Sequence, residues 1–232
     1  MSDRATGVVL VAAGSGSRLG GGVPKAFVPL AGRPLLGHAL GGALSCPHLL
    51  EVVVVAPAGW LDDAQAVVDE CRSAATAGEA AYVTVVPGGQ DRGESVAAGL
   101  AALRPTVEFV LVHDAARCLA PHSLYERVAA RVRAGAPAVV PGLPVVDTIK
   151  QVDAQGRVVG TLDRPALRAI QTPQGFRRDV LERAHVVSSE ATDDAALVER
   201  LGEPVLVVPG DLRALKITTP DDLATAARIL QP

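Results

Sequence analysis

Ala12-Ala13-Gly14-Ser15-Gly16-Ser17-Arg18-Leu19-Gly20, followed by Pro24-Lys25, is the stretch whose residue types and spacing could do chemistry. It leaves an apolar, β-branched run, Gly7 to Val11, so it reads as a loop at a strand end. Glycines in such a loop let backbone N–H groups approach phosphate oxygens closely. The spacing departs from G-x-G-x-x-G, with Leu19 where the third glycine would stand, which disfavours an NAD-dependent oxidoreductase. It is not G-x-x-x-x-G-K-[ST] either, because Ala26 follows Lys25. What remains is a long loop with two cations, Arg18 and Lys25, suited to charge that develops in phosphoryl or nucleotidyl transfer.

Three further clusters fall at the ends of apolar runs, where open α/β sheets bind their ligands. In Gly88-Gly89-Gln90-Asp91-Arg92-Gly93-Glu94-Ser95, backbone groups of the glycines and the Ser95 hydroxyl could read a base edge, with Arg92 supporting phosphate. His113-Asp114-Ala115-Ala116-Arg117 places a carboxylate directly after a strand, a common position for a magnesium or hydroxyl ligand. His113 reads as a partly buried histidine bonded to backbone rather than a general base, and Cys118 as a small buried hydrophobe. Lys216 is expected at the end of a strand on the same edge. Of 22 basic residues 19 are arginine, and the three lysines, Lys25, Lys150 and Lys216, stand where a compact ammonium on a flexible stem has a use that a planar guanidinium does not fill.

The elements that must position these residues alternate. Apolar runs at Glu51 to Ala56, Ala81 to Val86, Phe109 to Val112, Ala138 to Val140 and Val205 to Val208 predict strands. Helices are expected over Leu35 to Leu44, about Leu61 to Ala75, Arg92 to Leu103, Ser123 to Arg133, Arg178 to His185 and Asp193 to Leu201. A capping Thr219, Pro220 and two acids start a terminal helix. This pattern predicts an α/β fold with a mostly parallel, Rossmann-like sheet, in a single domain over residues 1–232. An inserted hairpin arm, about residues 143–172, carries Thr148 to Val152 and Arg157 to Thr161 about a turn at Asp153 to Gly156, with Lys150, Arg164 and Thr172 as polar candidates.

Composition sets the outer limits. A net charge of -3 argues against a broad nucleic-acid footprint. Three scattered cysteines argue against a disulfide framework or zinc site and fit a reducing compartment. No signal-type apolar region or membrane-length apolar stretch is seen, so a cytoplasmic protein without membrane contact is expected.

In order along the chain, A-A-G-S-G-S-R-L-G…P-K, G-G-x-x-R-x-x-S-V, H-D-A-A-R, D-T-I-K, T-P-Q-x-F and K-I-T-T-P-D-D-L resemble the 2-C-methyl-D-erythritol 4-phosphate cytidylyltransferases of non-mevalonate isoprenoid biosynthesis, over nearly all of residues 7–230. The resemblance implies a glycosyltransferase-A-like nucleotidyltransferase fold. It implies that Ala12, Ala13, Gly14 and Gly16 cradle CTP while Arg18 and Lys25 stabilise the transition state. Gly89, Gln90 and Ser95 would recognise cytosine, and Arg92 would support their loop. Asp114, Ala115, Arg117 and Thr172 would contact the polyol phosphate, Thr148 and Arg164 would come from the arm of a second subunit, and Lys216 would position the substrate phosphate; Arg164 and Lys216 count with Arg18 and Lys25 as catalytic. Also implied are Mg²⁺, held mainly by the CTP phosphates with Asp114 as its candidate protein ligand, and a homodimer. Val11 stands where the pattern has proline. A ribitol-5-phosphate cytidylyltransferase shares most of these motifs and stays open as an alternative, as does a non-catalytic nucleotide-binding module. No fused cyclase domain is expected after the terminal helix.

Overall fold

The computed structural model describes residues 5–14, 22–74, 81–187 and 193–231. In chain order the elements are β1 (Ala5–Val11), the two-residue strands β2 (Pro29–Leu30) and β3 (Arg33–Pro34), α1 (Leu35–Leu44), β4 (Leu49–Ala56), α2 (Leu61–Ala74), β5 (Tyr82–Pro87), α3 (Arg92–Ala102) and β6 (Val107–Asp114). They continue with α4 (His122–Arg133), β7 (Ala138–Pro144), β8 (Lys150–Val152), β9 (Val158–Thr161), β10 (Arg168–Ile170), β11 (Gln174–Arg177), α5 (Arg178–Val187), α6 (Asp194–Arg200), β12 (Val205–Pro209) and α7 (Pro220–Ile229).

Eight of the strands form one sheet in the order β10-β7-β11-β6-β1-β4-β5, with β12 also on β7. β1 lies at its centre, parallel to β4 on one side and β6 on the other. Such strands are buried on both faces, which is why Val8 to Leu10, Val52 to Ala56 and Val110 to Val112 read as unbroken apolar runs. Alternate side chains feed two cores. Val8, Leu10, Val52, Val54 and Leu111 pack with α1, α2 and α4, while Val9, Val53, Val55, Val110 and Val112 pack with α3, α5 and α6. The result is a three-layer α/β/α arrangement, as expected for a βα series.

The expected mostly parallel sheet is present, but it is mixed. β11 runs antiparallel to both β6 and β7, and β10 runs antiparallel to β7. A cis Thr172–Pro173 peptide lies between the two. Neither strand is visible in sequence: Gln171-Thr172-Pro173 reads as loop, and Gln174-Gly175-Phe176-Arg177 has no β-branched residue to signal pairing.

The expected hairpin is also present, with shorter strands than the sequence suggests. β8 begins at Lys150, so Thr148 precedes the ladder, and β9 begins at Val158. Asp153 organises the turn, its Oδ1 accepting the N–H groups of Gln155 and Arg157. Val146, Val152, Val158 and Val159 are all more than half exposed along this arm.

One expectation is corrected here. Lys216 does not end a strand; it follows a 3-10 turn, Leu212–Ala214, in an extended loop before α7. A backbone bond from the Ile217 N–H to the Ala116 carbonyl at 2.9 Å ties the segment to the turn after β6, in place of a ladder.

Candidate active site

The C-terminal ends of β1, β5 and β6 open into a cleft of about 370 Å³. Ala12, Ala13 and Gly14 enter it from β1, and Lys25 from the 3-10 turn Lys25–Phe27. Gly89, Gln90 and Asp91 come from the loop after β5, Arg92 and Ser95 from the first turn of α3, Asp114 from the last residue of β6, Ala115 and Ala116 from the turn that follows, and Lys216 from the loop before α7. Eleven expected site residues are thus gathered from sequence positions 12 to 216. Gly16 and Arg18 lie outside the described residues.

The loop after β5 is shaped by its own hydrogen bonds. Asp91 caps α3, its Oδ1 accepting the Glu94 N–H at 2.8 Å, while Glu94 Oε2 accepts the Gln90 N–H at 2.7 Å. This closes the loop much as a capping box closes a helix start. The Gly89 N–H donates to Ser95 Oγ at 3.2 Å, and the Ser95 hydroxyl donates to the Asp91 carbonyl at 2.8 Å. A Cβ at Gly88 would collide with the Ala13 side chain. Glycine there lets the loop after β5 lie directly against the loop after β1.

Asp114 organises the other wall. Its Oδ2 accepts from Lys216 Nζ at 2.8 Å, its Oδ1 from Arg92 Nε at 3.2 Å, and its backbone N–H donates to Thr172 Oγ1 at 3.0 Å. Burial by itself raises the Asp114 carboxyl, but the charges of Arg92 and Lys216 outweigh it and hold the group well below the usual carboxylate range. The same pairing corrects the reading of Arg92 as a phosphate support. Its guanidinium is committed to Asp114 and, through Nη1 at 2.7 Å, to Asp194. Burial lowers the Arg92 group and the two carboxylates overcome that, leaving it above its ordinary value.

Thr172 is buried behind Asp114, and its hydroxyl also lies 3.0 Å from His113 Nδ1. His113 is fully buried rather than partly so, and its side chain meets the Thr172 hydroxyl as well as the backbone of Arg117 and Thr172. Burial lowers it to about 4, so it is neutral at pH 7. Cys118 is buried as expected, with its thiol pushed up to about 12 by burial.

Arg117 does not line the cleft. Its Nη1 donates to the Ala214 carbonyl at 2.8 Å and its Nη2 to the Ile170 carbonyl at 3.2 Å, tying the turn before Lys216 to β10. Gln171, to which sequence reasoning gave no role of its own, reinforces this tie: its amide donates to the Asp211 carbonyl and accepts the Asp211 N–H, both at 2.9 Å. Thr148 and Arg164 also lie off the cleft; Arg164 Nη1 donates to the Val146 carbonyl within the arm.

Two of the three lysines converge. Lys25 Nζ donates to the Ile217 carbonyl at 2.9 Å, next to Lys216, whereas Lys150 pairs with Thr161 on the hairpin. The segment they share is held from its far end by α7, where Thr219 and Asp222 form a reciprocal capping box. Asp222 Oδ2 also accepts from the Thr218 N–H and hydroxyl. Thr219→Ala is expected to cost about 1 kcal/mol of stability, the usual loss of an N-cap, read as a shift in the denaturant midpoint with an unchanged slope.

Lys25, Lys216, Arg92 and Asp114 thus line one cleft, with Lys216 and Arg92 both paired to Asp114. Among the described residues no group of three or more His, Cys, Asp or Glu could hold a metal, and no helix is long and apolar enough to cross a membrane.

The family described as 2-C-methyl-D-erythritol 4-phosphate cytidylyltransferase matches residues 6–232 of the chain. Proteins carrying that name include one from Nocardia farcinica, 49% identical over 99% of this chain and 95% of its own length. Another, from Saccharopolyspora erythraea, is 51% identical over 94% of this chain and 96% of its own. The crystal structure of a 4-diphosphocytidyl-2C-methyl-D-erythritol synthase from Anaerococcus prevotii superposes with a TM-score of 0.85 at 27% identity, covering 99% of this chain and 97% of the other.

Proposed function

The chain belongs to the 2-C-methyl-D-erythritol 4-phosphate cytidylyltransferase family, and from that premise we propose that it transfers CMP from CTP to 2-C-methyl-D-erythritol 4-phosphate. The products are 4-diphosphocytidyl-2-C-methyl-D-erythritol and pyrophosphate, in non-mevalonate isoprenoid precursor biosynthesis. The observation that carries this reading is the meeting of Lys25, Lys216, Arg92 and Asp114 in one cleft with the glycine loops after β1 and β5.

A phosphate oxygen of the acceptor attacks the α-phosphorus of CTP, a new P–O bond forms in line, and the bond to the β-phosphate breaks to release pyrophosphate. Little covalent chemistry falls to the protein, so its work is positioning and stabilising charge. Ala12, Ala13 and Gly14, with Gly16, cradle the triphosphate, and Lys25, with Arg18, meets the negative charge that builds on the transferring group. Gly89, Gln90 and Ser95 receive the cytosine; the support is their closed loop against Ala13. Asp114 and Ala115 face the acceptor polyol, and Lys216 its phosphate. Thr172 and Arg117 hold that side together, as their bonds to Asp114, Ile170 and Ala214 indicate. Retention of these cations around one carboxylate speaks against a non-catalytic nucleotide-binding module.

Mg²⁺ belongs to this reading as a CTP-borne ion. Among the described residues the cleft supplies hard oxygen donors at Asp114 and Asp91 but no group of three, which fits an ion that keeps waters and phosphate oxygens as its main ligands. Asp114 would hold it, and when bound it would neutralise triphosphate charge.

The chain is proposed to work as a homodimer in the cytoplasm. Val146, Val152, Val158 and Val159 expose an apolar arm that a second copy would cover, and Thr148 and Arg164 on that arm would then reach the partner's cleft. A solution mass of twice the chain supports this; a strict monomer with full activity contradicts it. Mass spectrometry of the CTP reaction tests the chemistry: the cytidylyl-linked diphosphate must accumulate in step with pyrophosphate, and its absence would overturn the proposal.

A further inference from the structure

Asp194 is 1% exposed, opens α6, and is not part of the cleft wall. A carboxylate that deep is tolerated only with partners. Its Oδ2 accepts from Arg92 Nη1 at 2.7 Å and its Oδ1 lies 3.0 Å from His185 Nε2. Arg92 spends a different nitrogen, Nε, on Asp114. The planar guanidinium is therefore stretched between two carboxylates, and its orientation is set by both.

The start of α6 is braced. Asp193 caps the helix through the Ala196 N–H at 2.9 Å, and Gln174 on β11 donates to Asp193 Oδ2 at 2.8 Å while accepting the Ala195 N–H at 3.3 Å. Asp194 is thus a fixed point, tied to the sheet. From it a chain of alternating charge runs outward through Arg92 and Asp114 to Lys216. Each Asp114 oxygen faces one cation because Asp194 takes the other end of Arg92. Without the Asp194 charge, the guanidinium would have one carboxylate left and would turn onto it in the two-bond geometry that Arg favours, displacing Lys216 from Oδ2.

We propose that Asp194 is a positioning residue for the transfer reaction: acting through Arg92, it keeps Asp114 shared with Lys216, so that Lys216 is aimed at the acceptor. This rests on the function proposed above. Asp194 lies outside the cleft wall, so its loss is expected to show in turnover rather than in CTP binding.

The test is a cycle of wild type, Arg92→Gln, Asp194→Asn and the double variant, each assayed for pyrophosphate release from CTP with 2-C-methyl-D-erythritol 4-phosphate and each melted thermally. Wild-type turnover bears on the function; the variants' ratios to wild type bear on Asp194. Asp194→Asn is expected to lower kcat about 10- to 100-fold, the scale of a misplaced reacting group, with the CTP KM within about twofold of wild type. The double variant should turn over no more slowly than Arg92→Gln alone, because residues acting through one contact are non-additive. That last comparison stands even if Asp194→Asn fails to fold, since the double variant leaves no charge unpaired at this contact. Near-normal kcat in Asp194→Asn, or a double variant slower than Arg92→Gln, would overturn the assignment. If wild type itself releases no pyrophosphate, the crystal structure of Asp194→Asn decides: Lys216 and Asp114 separated beyond about 4 Å supports the role, and an intact contact removes it.

Discussion

Lys25→Ala is expected to lower kcat by roughly 10² or more, on the scale of losing one preorganised donor to a developing anion. The argument is geometric. Lys25 enters the cleft from a short 3-10 turn and is braced against the Ile217 carbonyl at 2.9 Å, so in the proposed reaction its ammonium would need little reorganisation as charge builds on the triphosphate. Arginine is a poor replacement, because a planar fork does not present a compact ammonium; Lys25→Arg should recover only part of the rate. Steady-state pyrophosphate release measures both. Near-normal turnover in Lys25→Ala would remove this residue from the mechanism.

Asp114→Asn should show the second largest effect, and in two observables. With the carboxylate gone, Lys216 loses the charge that holds it and Arg92 one of its two partners, and kcat is expected to fall about 10²-fold. Stability should fall as well. Breaking a buried pair typically costs ~3–5 kcal/mol, but the Arg92 and Lys216 side chains are 28% and 44% exposed and solvent screens them, so about 1–3 kcal/mol is expected at neutral pH. The pH dependence has a definite sign. Because the folded Asp114 carboxyl sits below its unfolded value, its contribution is complete above about pH 4 and is lost as pH falls through the folded value. Denaturant unfolding at neutral and acid pH should therefore show a smaller acid loss in Asp114→Asn than in wild type. Parallel curves would mean that the carboxylate contributes nothing through its charge.

The parts of this molecule legible in sequence are those with a local signature. The β1, β4 and β6 cores read as β-branched runs because a central parallel strand is buried on both faces. α1 runs Leu35–Leu44 as expected, in spite of its glycines. The cleft residues at Gly89, Asp114 and Ser95 were visible because glycine loops and carboxylates immediately after such runs fall on the ligand edge. β10 and β11 were not visible: β11 is a strand only because β6 and β7 offer a slot between them, and the three-residue β10 only because the end of β7 pairs with it. Nor was the setting of Lys216, which lies in no strand and is placed by the Ile217–Ala116 backbone bond and by side-chain ties from Lys25, Arg117 and Asp114. The deepest gap concerns pairs. Arg92 and Asp194 are 102 residues apart, as are Asp114 and Lys216, and an ion pair at that separation leaves no periodicity or motif behind. The rarity of lysine did point to Lys25 and Lys216 together, but it pointed equally to Lys150, which ended on the hairpin.

The measurement that bears most directly on the whole account is pyrophosphate release from CTP and Mg²⁺ with each of two acceptors, 2-C-methyl-D-erythritol 4-phosphate and ribitol 5-phosphate. The arrangement of Lys25, Lys216, Arg92 and Asp114, with the family to which the chain belongs, predicts rapid release with the first and little with the second. Release that favours ribitol 5-phosphate, or none with either acceptor, would contradict it.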